Sequence, residues 1–160
     1  MEENKLENNI NDSELLKLSR EKMPIKNANM YSPAQLAYAG DAVYELLVRS
    51  YVINNHDTNV NKMHRLTVKF VKAQAQAYII KILDNELTED EKRIVKRGRN
   101  AKVTSSPKNA EMMEYKYATG FEALIGYLYL GNELDRLMEL FNKTIEILNE
   151  KDSENENNRG

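Results

Sequence analysis

The sequence predicts an all-α protein, and three observations carry this prediction. Apolar residues recur at spacings of three and four residues over several long segments, as on the buried face of a helix. No segment alternates apolar and polar residues as a half-buried strand would. Helix-start signals stand where these segments begin, among them Ser32 before Pro33 and a capping box from Thr88 to Glu91.

The first three helices follow from these signals in chain order. The helix that begins after Ser32 is expected to reach about Asn54, because its apolar positions continue to that point. Residues 61–83 keep the spacing of three and four residues throughout, which predicts a second, long helix. The capping box starts a third helix, and Gly98 is placed to end it as the C′ residue.

Two further helices complete the expected set. Asn109 is a candidate N-cap for a helix that continues to Leu130, with a break expected near Gly120. Asn132 is a candidate N-cap for the last helix, whose apolar stripe ends at Leu148.

The chain divides into three parts by composition. Residues 1–28 are rich in Asn, Glu and Lys with one short apolar stretch at 15–18, which indicates a loosely attached segment with one short helix. Residues 29–148 hold the helical pattern and fit one domain. Residues 149–160 are polar and are expected to form a disordered tail.

The residue counts exclude several classes of site. The chain has no cysteine and two histidines, which excludes disulfides and thiolate metal sites and argues against a His-rich zinc centre. Any bound metal is therefore expected to have oxygen ligands. The N-terminus lacks the pattern of a signal peptide, and no stretch approaches 18 uninterrupted apolar residues. We expect a soluble, cytoplasmic protein with no membrane contact.

Positive charge is concentrated in one segment. Residues 92–108 contain seven lysines and arginines and no acid, for a formal charge of +7. The other 16 basic and 25 acidic residues give the rest of the chain a charge of −9. Such a patch favours a polyanionic partner such as a nucleic acid, and the alternative is a solvated helix end and loop.

Two acids stand inside apolar helical segments, Asp41 within residues 36–48 and Glu122 within residues 119–130. No cation lies one turn away from either, and a buried carboxylate is costly unless it is paired or bound to a metal. Two such helices side by side would present converging oxygen ligands for Mg²⁺, and Gly40 and Gly120 would permit close approach. The alternative is that each acid caps a helix or reaches solvent. Glu45 is a further candidate for the ligand set, although acids one turn apart are commonly a solvated face.

Short motifs around these acids resemble a known family. Residues 40–45 (GDAVYE) resemble the ribonuclease III signature, and residues 121–126 (FEALIG) resemble that family's second catalytic helix. Residues 97–102 (RGRNAK), 107–109 (PKN) and 117–122 (YATGFE) are similar to the small Mini branch, which has the catalytic domain alone. The resemblance extends over about residues 31–148.

The resemblance implies a helical catalytic domain over residues 29–148 that dimerises and hydrolyses double-stranded RNA with Mg²⁺, or with Mn²⁺ in its place. It assigns Asp41 and Glu122 as catalytic residues and metal ligands. The acids expected four and seven residues before Asp41 are Ala37 and Ala34, and the acid expected three before Glu122 is Thr119. The ligand set is thus poorer than usual, and Thr119 is expected to contribute through its hydroxyl or through a water rather than as a ligand.

The family also implies how RNA and a second copy would bind. Recognition of A-form RNA is expected to rest on shape, phosphates and 2′-hydroxyls, and the candidate contacts are Arg97, Arg99, Asn100, Lys102 and Lys108. The aromatic residue three positions before the signature aspartate, here Tyr38, is expected to pack across the dimer interface. The implied products carry 5′-phosphate and 3′-hydroxyl ends, and the implied substrate is the precursor of large-subunit (23S) ribosomal RNA.

Two other interpretations remain open at this point. A double-stranded-RNA-binding dimer that has lost activity along with the missing acids would keep the basic segment. A helical adaptor for proteins would explain the apolar stripes but neither the acid pair nor the basic segment.

Overall fold

The computed structural model describes residues 27–101 and 109–159, and within them the all-α prediction is confirmed. The predicted short helix near residues 15–18 lies outside the described residues, as do Lys102 and Lys108. The described helices are α1 (Pro33–Asn55), α2 (Val60–Val71), α3 (Ala73–Leu83), α4 (Glu89–Arg99), α5 (Asn109–Leu130) and α6 (Leu134–Asn157), with 3-10 turns at Ala28–Met30 and Asp84–Glu86.

The predicted starts of α1 and α4 are confirmed. The Ser32 hydroxyl accepts a hydrogen bond from the Gln35 backbone N–H at 3.2 Å, and the Gln35 side chain accepts one from the Ser32 backbone at 2.9 Å. Thr88 and Glu91 make the same reciprocal pair at the start of α4. Both caps satisfy backbone donors that a helix start leaves without partners.

The long helix predicted over residues 61–83 is in fact two helices. The helical conformation is interrupted at Lys72, whose backbone is extended (φ −61°, ψ 148°). The Phe70 carbonyl, in the last turn of α2, accepts a hydrogen bond from the buried Tyr44 hydroxyl at 3.0 Å. Because the apolar spacing continues across the break, the sequence pattern did not reveal it.

Three further predictions about helix ends are wrong. Gly98 lies inside α4, which Asn100 caps, and no described glycine has a positive φ. Asn132 adopts a left-handed conformation (φ 59°) in the turn before α6 and does not cap that helix through its side chain. No break occurs at Gly120, because α5 is continuous from Asn109 to Leu130.

The C-terminal end is helical where a disordered tail was expected. Helix α6 continues to Asn157, although its residues beyond 151 are exposed. The Lys151 ammonium lies 3.9 Å from the centre of the Tyr78 ring on α3, and the Ser153 hydroxyl donates to the Asn149 carbonyl at 3.0 Å. These contacts stabilise the last turns of α6, and the polar composition of residues 149–160 gives no sign of them.

Helix α5 runs through the centre of the domain and packs against α1, α3, α4 and α6. Tyr44 of α1 is fully buried beside it, with its ring 4.8 Å from the Phe121 ring and 6.3 Å from the Phe141 ring, both in edge-to-face geometry. Burial raises the pKa of the Tyr44 hydroxyl far above its ordinary value. This aromatic cluster joins α1, α5 and α6 in one core.

An ion-pair network fastens the start of α4 to α6. Arg136 donates from Nε to the Glu91 carboxylate at 2.9 Å and from Nη2 to the Glu86 carbonyl at 2.8 Å. Glu91 is buried, and burial by itself raises the pKa of its carboxyl. The hydrogen bonds from Arg136 and Thr88 outweigh this effect and hold the pKa below its ordinary value. A buried, bidentate pair of this kind fixes geometry more firmly than an exposed one.

The backbones of α1 and α5 are in direct contact where these two helices cross. A Cβ atom on Gly40 would lie 1.7 Å from the Glu122 carbonyl oxygen, and one on Gly126 would lie 1.9 Å from the Leu36 carbonyl oxygen. No side chain fits between the two backbones at either position. The expectation that Gly40 permits close approach is therefore confirmed, whereas Gly120 faces α4, at Val95 and Gly98.

We predict that Gly126→Ala destabilises the fold by about 3 kcal/mol or more, because the added methyl group must push two helix backbones apart. Gly120→Ala is the matched comparison, since its Cβ would lie 2.8 Å from the Val95 carbonyl oxygen and needs a smaller shift. Thermal and urea unfolding should rank Gly126→Ala well below Gly120→Ala. Equal stability of the two variants would contradict the proposed role of this crossing.

Candidate active site

The crossing of α1 and α5 brings the two predicted acids to one pocket. Asp41 follows Gly40 in α1, and Glu122 is the α5 residue whose backbone touches Gly40. Both carboxylates line a cavity of about 220 Å³. The two acids that the sequence singled out on separate helices therefore face the same space.

The burial of the two carboxylates differs. Asp41 is exposed, in line with the alternative that the acid reaches solvent, and no described residue pairs with it. Glu122 is half-buried, and its pKa is raised from 4.5 to about 7, first by burial and then by the negative charge of Asp41. The charge of Asp41 therefore acts on Glu122 within the pocket that both residues line.

A buried amide stands beside Glu122. Gln76 of α3 is 1% exposed, and its proximity opposes the other two effects by lowering the pKa of Glu122. Its Nε2 nevertheless has no hydrogen-bond partner among the described residues, so the amide lies near the carboxylate without reaching hydrogen-bonding geometry. An unsatisfied buried donor is costly, and ionised Glu122 is the acceptor available to it.

The donor set fits a hard divalent cation. Two carboxylates that repel one another favour a cation or a proton between them, and Mg²⁺ is commonly bound by one or two carboxylates with waters completing its shell. Among the described residues, no cluster of three or more acids, histidines or cysteines joins them. Ala34, Ala37 and Thr119 line the same pocket, so the positions expected to carry acids do converge there without any charge.

Thr119 and Glu45, the two residues predicted to support the acid pair, lie in different places. The Thr119 hydroxyl lines the pocket and donates to the Tyr115 carbonyl at 2.9 Å. Glu45 does not line the pocket, and its carboxylate pairs with Arg49 at 2.7 Å, one turn further along α1. Glu45 therefore belongs to a surface ion pair rather than to the acid pair.

The predicted RNA-contacting residues that the structure describes do not lie together. Arg99 lines the pocket with its guanidinium 4.1 Å from the centre of the Tyr117 ring, and its Nε is buried without a partner among the described residues. Arg97 donates to the Tyr31 carbonyl at 3.4 Å and so braces the chain just before α1. Asn100 is exposed at the end of α4.

Sequence reasoning missed two residues of this site. Gln76 carried a weak signal, because it is a polar residue on an otherwise apolar face of α3. Lys116 lines the pocket six residues before Glu122, and it gave no signal, since an isolated lysine in a helix is ordinary.

Comparisons with known proteins agree with this geometry. The model of the ribonuclease III domain matches residues 34–133. The chain belongs to the ribonuclease III family. A Mini-ribonuclease 3 from Clostridium tetani is 47% identical over 140 residues, which cover 87% of this chain and 91% of the relative. One from Thermoanaerobacter sp. is also 47% identical, over 74% of this chain and 84% of the relative.

A solved structure supports the fold as well as the family. A crystal structure of a protein from Fusobacterium nucleatum is 34% identical, with a TM-score of 0.67 over 76% of this chain and 97% of that one. Ribonuclease III proteins are endoribonucleases that act on double-stranded RNA and generally depend on divalent metal, and this chain is an endoribonuclease of that family. No helix in the described part of the chain is long and apolar enough to cross a membrane.

We predict that Glu122→Gln stabilises the metal-free protein above pH 7 by about 1–3 kcal/mol, because it removes a half-buried charge. The pKa of Glu122 is higher in the folded protein (about 7) than its ordinary value (4.5), so the wild type loses stability as the pH rises from 4.5 to about 7. The gain should shrink as the pH falls and vanish below about 4.5.

Thermal unfolding at several pH values in chelator measures this effect. The exposed Glu146, in the middle of α6, provides the matched control Glu146→Gln. A gain in the Glu122 variant that is independent of pH would contradict the assignment.

Proposed function

We propose that this chain cleaves double-stranded RNA by Mg²⁺-dependent hydrolysis at a site formed by Asp41 and Glu122. The observation that carries the proposal is the pair of carboxylates, delivered by two helices to one pocket and close enough for the charge of Asp41 to raise the pKa of Glu122. Family membership supplies the reaction class, and the pocket supplies the residues.

Asp41 and Glu122 would hold the metal, with Thr119 positioned to bind a water through its hydroxyl oxygen. When bound, Mg²⁺ supplies Lewis acidity that activates a water and stabilises charge on the scissile phosphate, and Mn²⁺ can supply the same. Glu122 must be ionised to act as a ligand, and the Gln76 amide favours that form. The products would carry 5′-phosphate and 3′-hydroxyl ends.

The surroundings of the pocket suit a phosphate backbone. Asp41 is exposed, so an RNA strand can reach the acid pair without a rearrangement of the core. Arg99 brings a guanidinium to the same pocket, pre-oriented by the Tyr117 ring. Asn100 follows at the end of α4, and Lys102 and Lys108 extend the basic segment beyond it. We assign these four residues to the backbone of the duplex.

We further propose that the natural substrate is the precursor of large-subunit (23S) ribosomal RNA and that the protein works in the cytoplasm, where that precursor is made. The support is the identity of 47% to Mini-ribonuclease 3 proteins over most of both chains.

A homodimer is the third part of the proposal, and an exposed stripe along α1 supports it. Tyr38 is 86% exposed, Leu46 44% and Ile53 63%, and all three lie on one side of the helix with the exposed Ala42 and Arg49 between them. Exposed apolar side chains that share one face of a helix are typical of an interface. The stripe starts at the pocket, which Tyr38 also lines.

The stripe also suggests how two copies would meet. Tyr38 and Ile53 lie fifteen residues apart, or about 22 Å along the helix. If two α1 helices cross antiparallel about a two-fold axis beside Leu46, the Tyr38 ring of each copy lies opposite Ile53 of the other. Ile53, Val60 and Met63 line a cavity of about 200 Å³ between α1 and α2 that would accept an aromatic ring. Two pockets would then face opposite strands of a duplex.

Removal of either carboxylate tests the catalytic assignment. Asp41→Asn and Glu122→Gln should each lower cleavage of duplex RNA by about 10³-fold or more while helicity and duplex binding persist. Asp135→Asn, an exposed acid at the start of α6, should cleave normally. Cleavage by the wild type should stop in chelator and return with Mg²⁺. A wild type that binds duplex RNA but never cuts it would establish the non-catalytic alternative instead.

Truncation of the exposed tyrosine tests the dimer. Tyr38→Ala should weaken self-association by about tenfold or more, because it removes the aromatic anchor of the proposed interface. Paired cuts on the two strands should fall with it. Light scattering and sedimentation across a dilution series measure the association, and Ile82→Ala on α3 is the control for an exposed apolar residue off the stripe. A wild-type monomer that cuts both strands would refute this part.

A further inference from the structure

Lys116 lines the catalytic pocket together with Asp41 and Glu122. It lies six residues before Glu122 on α5, which places its backbone about 9 Å away along the helix axis. A lysine side chain is long and flexible enough to deliver its ammonium group toward the acids over that distance. The residue is half-buried and forms part of the cavity wall.

The Lys116 ammonium has no ion-pair or hydrogen-bond partner among the described residues. In particular, it does not pair with Asp41 or Glu122, although all three line the same cavity. The carboxylates are thus left for a cation and the ammonium for an anion. A partly buried cation that faces a cavity without a partner is a candidate binding group for a phosphate.

The charges of the pocket point the same way. Two carboxylates and the two cations Arg99 and Lys116 cancel, so a divalent ion would bring the pocket to a formal charge of +2. That charge matches a phosphodiester as it gains negative charge during attack by water. Ala34, Ala37 and Thr119 are uncharged, so no further acid of the pocket competes for Lys116 or supports a second cation.

We propose that Lys116 is a catalytic residue that binds a non-bridging oxygen of the scissile phosphate. It stabilises the charge that develops there, so that one divalent ion and one ammonium group serve a site with two acids. This inference rests on the proposed function and adds a group that contacts the reacting phosphate. Lys116 transfers no proton in this role, because its charge alone is required.

The experiment measures both binding and cleavage in Lys116→Met, with Lys116→Gln as a second neutral variant and Lys116→Arg as the variant that keeps the charge. Short RNA duplexes that mimic the cut product, with a 5′-phosphate or a 5′-hydroxyl end, are bound in Ca²⁺. The wild type should prefer the 5′-phosphate several-fold, and this preference should vanish in both neutral variants. Single-turnover cleavage at saturating enzyme should fall by about 10²-fold, with partial retention in Lys116→Arg.

Lys151→Met is the matched control, since Lys151 contacts Tyr78 and lies outside the pocket. Unchanged cleavage and an unchanged phosphate preference in the neutral variants would overturn the proposal. An equal loss of affinity for both duplexes with a normal cleavage rate would also overturn it, because it would make Lys116 a general backbone contact. Normal cleavage by Asp41→Asn would instead refute the proposed function itself, so the two failures are distinguishable.

Discussion

The direct contact between the backbones of α1 and α5 is the constraint on which the rest of this structure depends. Gly40 and Gly126 leave no side chain between the helices, so the Glu122 carbonyl oxygen occupies the space of a Cβ on Gly40. Two helices this close present the residues beside the contact to one another. Asp41 and Glu122 are those residues, and the pairing of their carboxylates is therefore a consequence of helix packing rather than of a flexible loop.

A second pair of glycines lets α4 approach α5 closely. Gly98 of α4 lies against Gly120, where an added Cβ on Gly98 would be 2.8 Å from the Gly120 Cα atom. Arg99 follows Gly98 directly and lines the pocket, so a second close crossing delivers a cation to the place where the first delivers two acids. The Arg136–Glu91 pair holds the other end of α4, and the Tyr117 ring orients the Arg99 guanidinium.

The helical class, the starts of α1 and α4 and the acid pair were predictable because each depends on local residue types and spacing. The break at Lys72 was not, because a tertiary hydrogen bond from Tyr44 replaces a helical one without changing the apolar period. The separation of Glu45 from Asp41 has a local origin instead, since Glu45 pairs with Arg49 one turn further along α1. Lys116 could be recognised only from the pocket itself, because nothing in its local sequence distinguishes it.

The ionised form of Glu122 lowers the stability of the fold when no cation is bound. Burial and the charge of Asp41 raise the pKa of Glu122 to about 7, so near neutral pH the folded chain gains from a proton or a cation at this position. A deeper core of Tyr44 and Phe121 lies directly beneath the acids, one residue from Glu122 and three from Asp41. The backbone contact between α1 and α5 keeps the two residues on facing helices, so the helices cannot separate to relieve the repulsion without losing that contact. A divalent ion at the proposed site would offset this repulsion, and it would therefore stabilise the fold as well as serve the proposed reaction.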